Sequence, residues 1–155
     1  MTRRKRRRRA LPEHVGYLVE VSRWDWSFSF GISHDKRQAD PYSEYRHLAI
    51  HGNLLRPVRI KAKEAELIFL PKIENNEASR MHHEPRAVGS LNLHGGVIHG
   101  VLSMPADALP PMLTVLTAHR FRFVVLHGEP LRWSKALIRS YSVDTPLDEE
   151  DYPVT

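Results

Sequence analysis

The clearest pattern in the chain is an alternation of large apolar and small polar residues between positions 24 and 32. Tryptophan, phenylalanine and isoleucine occupy the even positions of this segment, whereas aspartate, serine and glycine occupy the odd ones. A period of two places all the large side chains on one face of a β-strand. Because aromatic side chains bury large apolar areas, we expect this face to lie in the core, with Trp24 at the strand end as the one exception to watch.

Weaker alternation and turn residues predict further elements along the chain. The hydrophobic spacing of Leu109, Met112, Leu113 and Leu116 predicts one short helix over 109–119, with Pro111 in its first turn. Residues 87–104 read as a hairpin, because Gly95 and Gly96 supply the positive φ of a two-residue turn. The remaining predicted strands cover residues 15–21, 45–55, 57–62, 65–70, 121–127 and 132–143. Residues 33–43 and 71–86 are polar and predict connecting segments, the second a long loop.

About eight strands, separated by short turns and accompanied by a single helix, favour a mainly β fold. We therefore predict an antiparallel β-sandwich or a partly open barrel with one short helix near 109–119. The alternating positions give a predicted core of Val19, Val21, Trp26, Phe28, Phe30, Leu48, Ile50, Ile60, Ile68, Leu91, Leu93, Ile98, Leu102, Met112, Leu116, Phe123, Val125 and Leu137.

The charge of the chain is concentrated at its start. The whole chain carries 23 basic and 18 acidic residues, for a net charge of +5, and 7 of the basic residues lie within positions 3–9. The other 16 basic residues are slightly outnumbered by the acidic ones. We predict a disordered basic arm over 1–13, a single β-rich domain over 14–146, and an acidic extended tail over 147–155. The residues of the arm that carry charge are Arg3, Arg4, Lys5, Arg6, Arg7, Arg8 and Arg9.

Composition excludes several classes of protein. The chain has no cysteine, which excludes a disulfide framework, a thiolate metal site and a cysteine nucleophile. No apolar run reaches the roughly 18 residues of a membrane span. The basic start is followed by Ala10-Leu11-Pro12-Glu13, which is not the apolar region of an export signal. We expect a protein that does not enter a membrane and that works in the cytoplasm, or in the nucleus of a eukaryote.

The arm is typical of a segment that binds a polyanion. Guanidinium groups grip phosphate oxygens in a bidentate way, and neutralised phosphates release counterions, which gives salt-sensitive binding without sequence specificity. DNA or RNA is the first candidate partner. An acidic protein surface is the second, and a solvated arm with no dedicated partner, or one docked on the acidic residues 148–151, is the third.

A second basic group lies in the body of the chain. Arg59, Lys61 and Lys63 alternate, so a strand would place them on one face, where they could extend a contact with nucleic acid. Near the end of the chain, basic residues alternate with aromatic ones: Arg132, Trp133, Lys135, Arg139 and Tyr141. The alternative is a solvated outer face that discourages edge pairing, with Trp133, Leu137 and Tyr141 in the core.

Two histidines of the predicted hairpin are the only candidate for metal chemistry. With the turn at Gly95-Gly96, His94 and His99 share the polar face with Asn92 and are diagonal neighbours. A zinc site needs a third ligand, for which His82, His83 or Glu84 are available, but nothing in the sequence requires it. We therefore predict no metal, no cofactor and no catalytic residue. The chain also lacks the motifs of nucleotide binding and of serine or zinc hydrolysis.

The sequence thus predicts a non-enzymatic binding module in which the basic arm holds nucleic acid, or another polyanion, through phosphates. The predicted contact residues are those of the arm together with Arg59, Lys61 and Lys63. The alternative is a structural or protein-interaction subunit, a homo-oligomer whose arm engages an acidic partner. A metal-dependent enzyme built on His94 and His99 ranks third.

Overall fold

A computed structural model describes residues 14–34, 37, 39–73, 87–120 and 122–144. Seven strands account for most of these residues, and the single α-helix follows a short 3₁₀ turn over Ala106–Ala108. The predicted arm over 1–13, most of the predicted loop over 71–86 and the acidic tail over 147–155 lie outside the described residues. The elements are β1 (Val15–Ile32), β2 (Tyr42–Arg56), β3 (Glu64–Ile73), β4 (Gly89–His94), β5 (Val97–Pro105), α1 (Leu109–Thr117), β6 (Phe123–Gly128) and β7 (Lys135–Asp144).

The strands form a closed barrel in the order β1-β2-β3-β5-β4-β7-β6, which confirms the mainly β class and the single short helix. Six of the seven strand pairs are antiparallel, as predicted, but β3 and β5 are parallel. The parallel pair arises because the chain reverses direction once, in β4, before β5 runs alongside β3. Strand pairing of this kind is not encoded in local hydrophobic pattern.

The strand count differs from the prediction at two places. Residues 15–21 and 24–32 belong to one long strand, and residues 57–62 form a loop instead of a strand. Pro57 has no N–H to donate to a strand ladder. A turn follows at once, in which the Ile60 N–H donates to the Pro57 carbonyl over 3.4 Å.

A β-bulge at Ser22 divides β1 into two parts. Before the bulge, odd-numbered residues such as Tyr17 and Val19 face the barrel interior, and after it the even-numbered residues follow the same face. The extra residue in one strand switches which side chains point inward and bends the strand. Ser22 is held at this point because its hydroxyl donates to the His51 carbonyl over 3.0 Å.

The barrel interior is a continuous apolar core. Side chains from every strand and from α1 contribute, including Leu48, Ile50, Leu91, Ile98, Leu102 and Leu116 of the predicted core. Phe69 packs edge-on against Tyr141 with ring centroids 5.3 Å apart. As predicted, the hairpin turns at Gly95 and Gly96, which have φ angles of 59° and 77°.

The prediction of a buried position is wrong for four residues of the predicted core. Trp26, Phe28, Phe30 and Leu137 are exposed. The first three share the correct face with Leu48 and Ile50, but β1 and β2 continue beyond the point where the barrel ends, so nothing in the described chain packs over them. Other predicted core residues, among them Val21, Ile60, Leu93 and Met112, are partly buried at its margin.

The helix α1 lies at the end of the barrel where β5 ends and β6 begins. It buries Leu109 and Leu116, and proline occupies its first turn, as predicted. It ends at Thr117, two residues before the predicted end, where the Ala118 N–H donates back to the last turn. The described residues contain no helix that is long and apolar enough to cross a membrane.

Candidate nucleic-acid interface

One end of the barrel gathers the start of β1 with three connections that follow later in the chain. Strand direction decides this, since β1, β3, β5 and β7 begin at this end while β2, β4 and β6 finish there. We call it the arm end, because the described chain starts there at residue 14, directly after the basic arm. The register partners that define it are Val15↔Gly128, Leu18↔Arg56, Asn53↔Glu64, Glu64↔Val97, His94↔Val97 and Asn92↔Lys135.

The loop between β2 and β3 carries the three basic residues predicted to share a strand face. The prediction of that strand is wrong, but Arg59, Lys61 and Lys63 are all exposed on the loop, at the arm end. The loop is fixed to its neighbours through its backbone. The Lys63 N–H donates to the Gly96 carbonyl over 3.2 Å, and its carbonyl accepts from the Leu54 N–H over 2.9 Å.

Beneath this loop lies a groove of about 650 Å³, bounded on its far side by the β4–β5 turn. Its lining is more apolar than polar and includes Leu55, Pro57 and Val58, together with Lys61, Lys63 and the acidic Glu64. A mainly apolar floor with a few cationic groups can accept a flat ring and hold an attached anion.

Tyr17 ties the connection between β6 and β7 to the barrel interior. The side chain is fully buried, and its hydroxyl donates to the Glu129 carbonyl over 2.7 Å. Burial raises the pKa of Tyr17 to about 12, while the positive charge of nearby Arg59 acts in the opposite direction. Tyr17 is therefore neutral at ordinary pH.

The connection between β6 and β7 ends in a two-residue turn whose tip is a tryptophan. Arg132 and Lys135 exchange backbone hydrogen bonds of 2.8 and 3.0 Å, and Trp133 and Ser134 between them have φ angles of 53° and 63°. The Leu93 N–H donates to the Ser134 carbonyl over 2.8 Å and ties the turn to β4.

Trp133 is 97% exposed. The alternative that placed it in the core is therefore wrong. Positive φ is a genuine outlier for a bulky residue, because its Cβ crowds the backbone, and such outliers cluster at functional sites. An aromatic ring held outward between two cationic side chains is the arrangement that stacks on a base and contacts its phosphate.

The described side chains at the arm end are mainly cationic. Arg59, Lys61, Lys63, Arg132 and Lys135 are exposed there. Among the acidic side chains in the same region, Glu129 pairs with Arg139 at 3.7 Å, and Glu64 lies at the start of β3. Arg120 and Arg122, in contrast, lie beside the start of β6 at the opposite end of the barrel.

Two stacked histidines mark the point where the arm joins the barrel. The rings of His14 and His127 lie 5.6 Å apart and nearly parallel, with 4° between their planes. Burial, and secondarily the proximity of His14, lower the pKa of His127 below its usual value. The first described residue after the arm is thus held against the barrel wall.

His94 and His99 have the predicted register, but the nearest described acidic group to His99 is Glu66 of β3, a residue that the prediction did not include. His94 pairs with Val97 and Asn92 with His99, so these polar side chains share the outer face of the hairpin. His99 Nδ1 lies 3.6 Å from the Glu66 carboxylate of β3. No group of three or more potential metal ligands occurs in the described part of the chain, and His82, His83 and Glu84 lie outside it.

Sequence reasoning missed one feature of the arm end: the exposure of Trp133. The hairpin turn at 133–134 has no glycine, asparagine or aspartate, the residues that signal such turns, so no local signal separates Trp133 from the strand. The charges that flank it were the only available signal.

Comparison of the chain with protein-family models, with curated proteins and with solved structures finds no match.

Proposed function

We propose that this protein is a non-enzymatic nucleic-acid-binding module whose cationic arm and arm end together grip the phosphate backbone without sequence specificity. One observation carries the proposal. The strand directions bring the root of the arm to the same end of the barrel as Arg59, Lys61 and Lys63. The strongest positive charge in the sequence and the basic loop of the body can therefore act on one ligand.

Electrostatics supplies the affinity in this proposal. Seven basic residues within positions 3–9 offer one charge for each of several successive phosphates, and each neutralised phosphate releases condensed counterions. Six of the seven are arginine, whose planar fork of donors matches phosphate oxygens better than lysine does. The near-neutral remainder of the chain adds little charge of its own, so the arm dominates the attraction.

Trp133 supports a ligand with accessible bases. Aromatic stacking stabilises single-stranded nucleic acid by about 1–3 kcal/mol per base and tolerates any sequence, because every base has a π face. Arg132 and Lys135, which flank the turn that carries Trp133, are exposed and available to contact a phosphate next to a stacked base. We therefore favour single-stranded DNA or RNA, or unpaired regions of RNA. Such a ligand places the protein in the cytoplasm, or in the nucleus of a eukaryotic cell.

A salt titration tests the proposal. Binding of the full chain to a fluorescent oligonucleotide is measured by anisotropy at several salt concentrations, and the slope of log affinity against log salt gives the number of phosphates neutralised. Deleting residues 1–10 should reduce this slope by about 5 for single strands, because each phosphate contributes roughly 0.7. The double substitution Lys61→Ala with Lys63→Ala should reduce it by about 1.

The matched control is Arg120→Ala, which removes an exposed cation from the opposite end of the barrel and should change neither affinity nor slope. If deletion of the arm leaves affinity and slope unchanged, the proposal is wrong. Equal affinity for polyglutamate and for an oligonucleotide of the same charge would instead assign the arm to an acidic protein partner.

A further inference from the structure

A two-stranded ribbon projects from the end of the barrel opposite the arm end. It consists of residues 24–32 of β1 and 42–50 of β2, paired from Trp24↔Ile50 to Ile32↔Tyr42. The neighbouring strand β3 pairs with β2 only up to Leu48, and β6 pairs with β1 only up to Glu20. Within the described chain, the outer part of the ribbon is therefore paired only with itself.

One face of the ribbon is apolar and exposed. Trp26, Phe28, Phe30, Ile32 and Tyr42 share it, and their exposed fractions lie between 47% and 66%. We call these five residues the ribbon face. The ribbon face lies on the same side of β1 and β2 as Leu48 and Ile50, which are buried in the core. It extends that apolar surface beyond the end of the barrel.

The side chains of the ribbon face are already ordered against one another. The rings of Phe30 and Tyr42 stack at 5.6 Å with 9° between their planes, and Trp26 lies 6.5 Å from Phe28. Arg46 covers one side of Phe28, with its guanidinium carbon 5.9 Å from the ring centroid. A surface that is organised before binding loses little side-chain entropy when it is covered.

Isolation makes such a ribbon costly to maintain. A two-stranded hairpin is marginally stable in water, and it becomes stable when its hydrophobic face packs against another surface. Contiguous exposed apolar patches of this kind mark interaction sites on soluble proteins. The ribbon face therefore requires an occupant.

The area of the ribbon face matches what a symmetric dimer needs. Five large side chains that each expose about half of their surface present on the order of 500 Å². Two copies packed face to face would bury a total of about 1,000 Å², which reaches the threshold for a specific interface. Sheet faces pack in this way about 10 Å apart, with their side chains interdigitated.

The charges on this face are self-complementary. Glu44 and Arg46 project from it on the same strand and pair with each other within one chain. A two-fold axis between them would place Glu44 of each copy against Arg46 of the other. Nucleic acid is a poor fit, because the paired strands of the ribbon carry two acidic residues, Asp25 and Glu44, against one basic residue.

Other parts of the same chain are less suited to cover the ribbon face. Residues 74–86 contain a single large apolar side chain, Met81, and residues 1–9 are almost entirely basic. Residues 145–155 contain Leu147, Tyr152 and Val154 but also four consecutive acidic residues at 148–151. A second copy supplies an apolar surface of equal size and matching charge. We infer that the ribbon face is an isologous interface through which two copies of this chain form a dimer, with their arm ends directed outward.

Sedimentation of the full chain over a range of concentrations tests the inference, with paired substitutions on the two sides of the ribbon. Phe30→Asp places a charge in the centre of the interface and should raise the dimer dissociation constant at least about 30-fold. The matched control is Tyr45→Asp, because Tyr45 is an exposed aromatic residue on the opposite side of the same ribbon. It should change the dissociation constant less than about threefold.

A charge exchange tests the two-fold arrangement independently. Glu44→Arg alone should weaken the dimer, whereas Glu44→Arg combined with Arg46→Glu should restore most of the affinity, because the complementary pairs form again across the axis. Circular dichroism checks that each variant retains its strands, which is expected because positions 30, 44 and 46 lie in the outer part of the ribbon, beyond the last β2–β3 pair at Leu48. Failure of the double exchange to restore affinity would contradict the two-fold arrangement.

Two further outcomes overturn the inference. One is a chain that remains monomeric up to about 100 µM, a concentration at which an interface of this area should form. The other is a monomer that floats with phosphatidylcholine vesicles through the ribbon face, which would assign the face to a lipid surface. Oligonucleotide binding is scored separately, so failure of the dimer leaves the nucleic-acid proposal intact.

Discussion

At the scale of single residues, Trp133 combines two unfavourable features at the centre of a two-residue turn. Its backbone is in a left-handed conformation that suits glycine, and its indole is almost completely exposed to water. Each non-glycine residue held in a conformation of this kind stores roughly 1–3 kcal/mol of strain. A tryptophan retained under these conditions at the cationic end of the barrel fits a binding role better than a structural one.

Substitution of Trp133 by glycine should separate binding from stability. We expect Trp133→Gly to weaken binding to a single-stranded oligonucleotide about tenfold, because one stacking contact is lost, and to change duplex binding little. The free energy of unfolding should stay the same or rise by up to about 1 kcal/mol, because glycine removes the backbone strain. Anisotropy and chemical denaturation measure the two effects.

Trp133→Phe serves as the control for that prediction, since it keeps a stacking ring and should retain most of the affinity. If Trp133→Gly binds as tightly as the unmodified chain, Trp133 has no role in contacting the ligand.

Tyr17 should make the stability of the barrel sensitive to alkaline pH. Its pKa is about 12 when folded, against a normal value of 10.0, so the folded state keeps a proton that the unfolded state loses. The contribution of Tyr17 to the free energy of unfolding is therefore fully present below pH 10. It falls by about 2–3 kcal/mol as the pH rises from 10 towards 12. Burial also raises the pKa of Tyr141, which adds to the same loss.

Urea denaturation between pH 8 and pH 12 measures the effect of Tyr17. We expect Tyr17→Phe to lower stability at pH 8 by about 1 kcal/mol through the lost hydrogen bond, and to reduce the alkaline loss. The control is Tyr45→Phe, which removes the hydroxyl of an exposed tyrosine on the side of the ribbon opposite the ribbon face and should leave the alkaline loss as it is. An unchanged profile in Tyr17→Phe would contradict the prediction.

At the scale of elements, the bulge in β1 decides which surface each half of that strand presents. The strand enters the barrel with odd-numbered residues inside. After the bulge at Ser22 the even-numbered residues continue that face, with Trp24 packed against the core and the aromatic residues beyond it exposed. Gly52 lies opposite the bulge on β2, where a Cβ would collide with the backbone carbonyl of Glu20 and meet Val19 Cγ1 at 2.9 Å. The close approach of the two backbones therefore requires glycine.

Two glycine substitutions in neighbouring strands should differ in their effect on the free energy of unfolding. Gly52→Ala should lower the free energy of unfolding by about 1–3 kcal/mol, because the clash is with rigid backbone. Gly31→Ala is the matched control. Its Cβ would meet only the Ser43 hydroxyl, at 3.7 Å, so we expect no loss of stability. Thermal or chemical denaturation compares the two, and equal stability would show that the bulge tolerates a side chain.

At the scale of the whole molecule, the barrel separates two surfaces of different character. The arm end is cationic and carries Trp133, whereas the ribbon at the other end is apolar and close to neutral. In the proposed dimer, the two ribbons meet in the middle and the two arm ends point apart. Each dimer would carry two arms, so one long polyanion could bind both. Binding of the first arm would raise the effective concentration of the polyanion at the second arm without any new kind of contact.

Much of this architecture follows from local pattern alone. The period-two alternation identified the strands, glycines marked the β4–β5 turn, and hydrophobic spacing marked α1. These features depend on residues that are near one another in the sequence, so backbone geometry and propensity are enough to predict them. The charge of the arm is equally a property of the sequence, since seven of the first nine residues are basic.

Tertiary structure decided what those patterns mean. Period two groups Trp26, Phe28 and Phe30 with Leu48 on one face, but whether that face is buried depends on whether a third element covers it. Likewise, the sequence contains the arm and the basic loop as separate segments. Only the directions of the strands bring the start of the described domain at residue 14 and the basic loop to one end of the barrel, because strand pairing links residues that are distant in the chain.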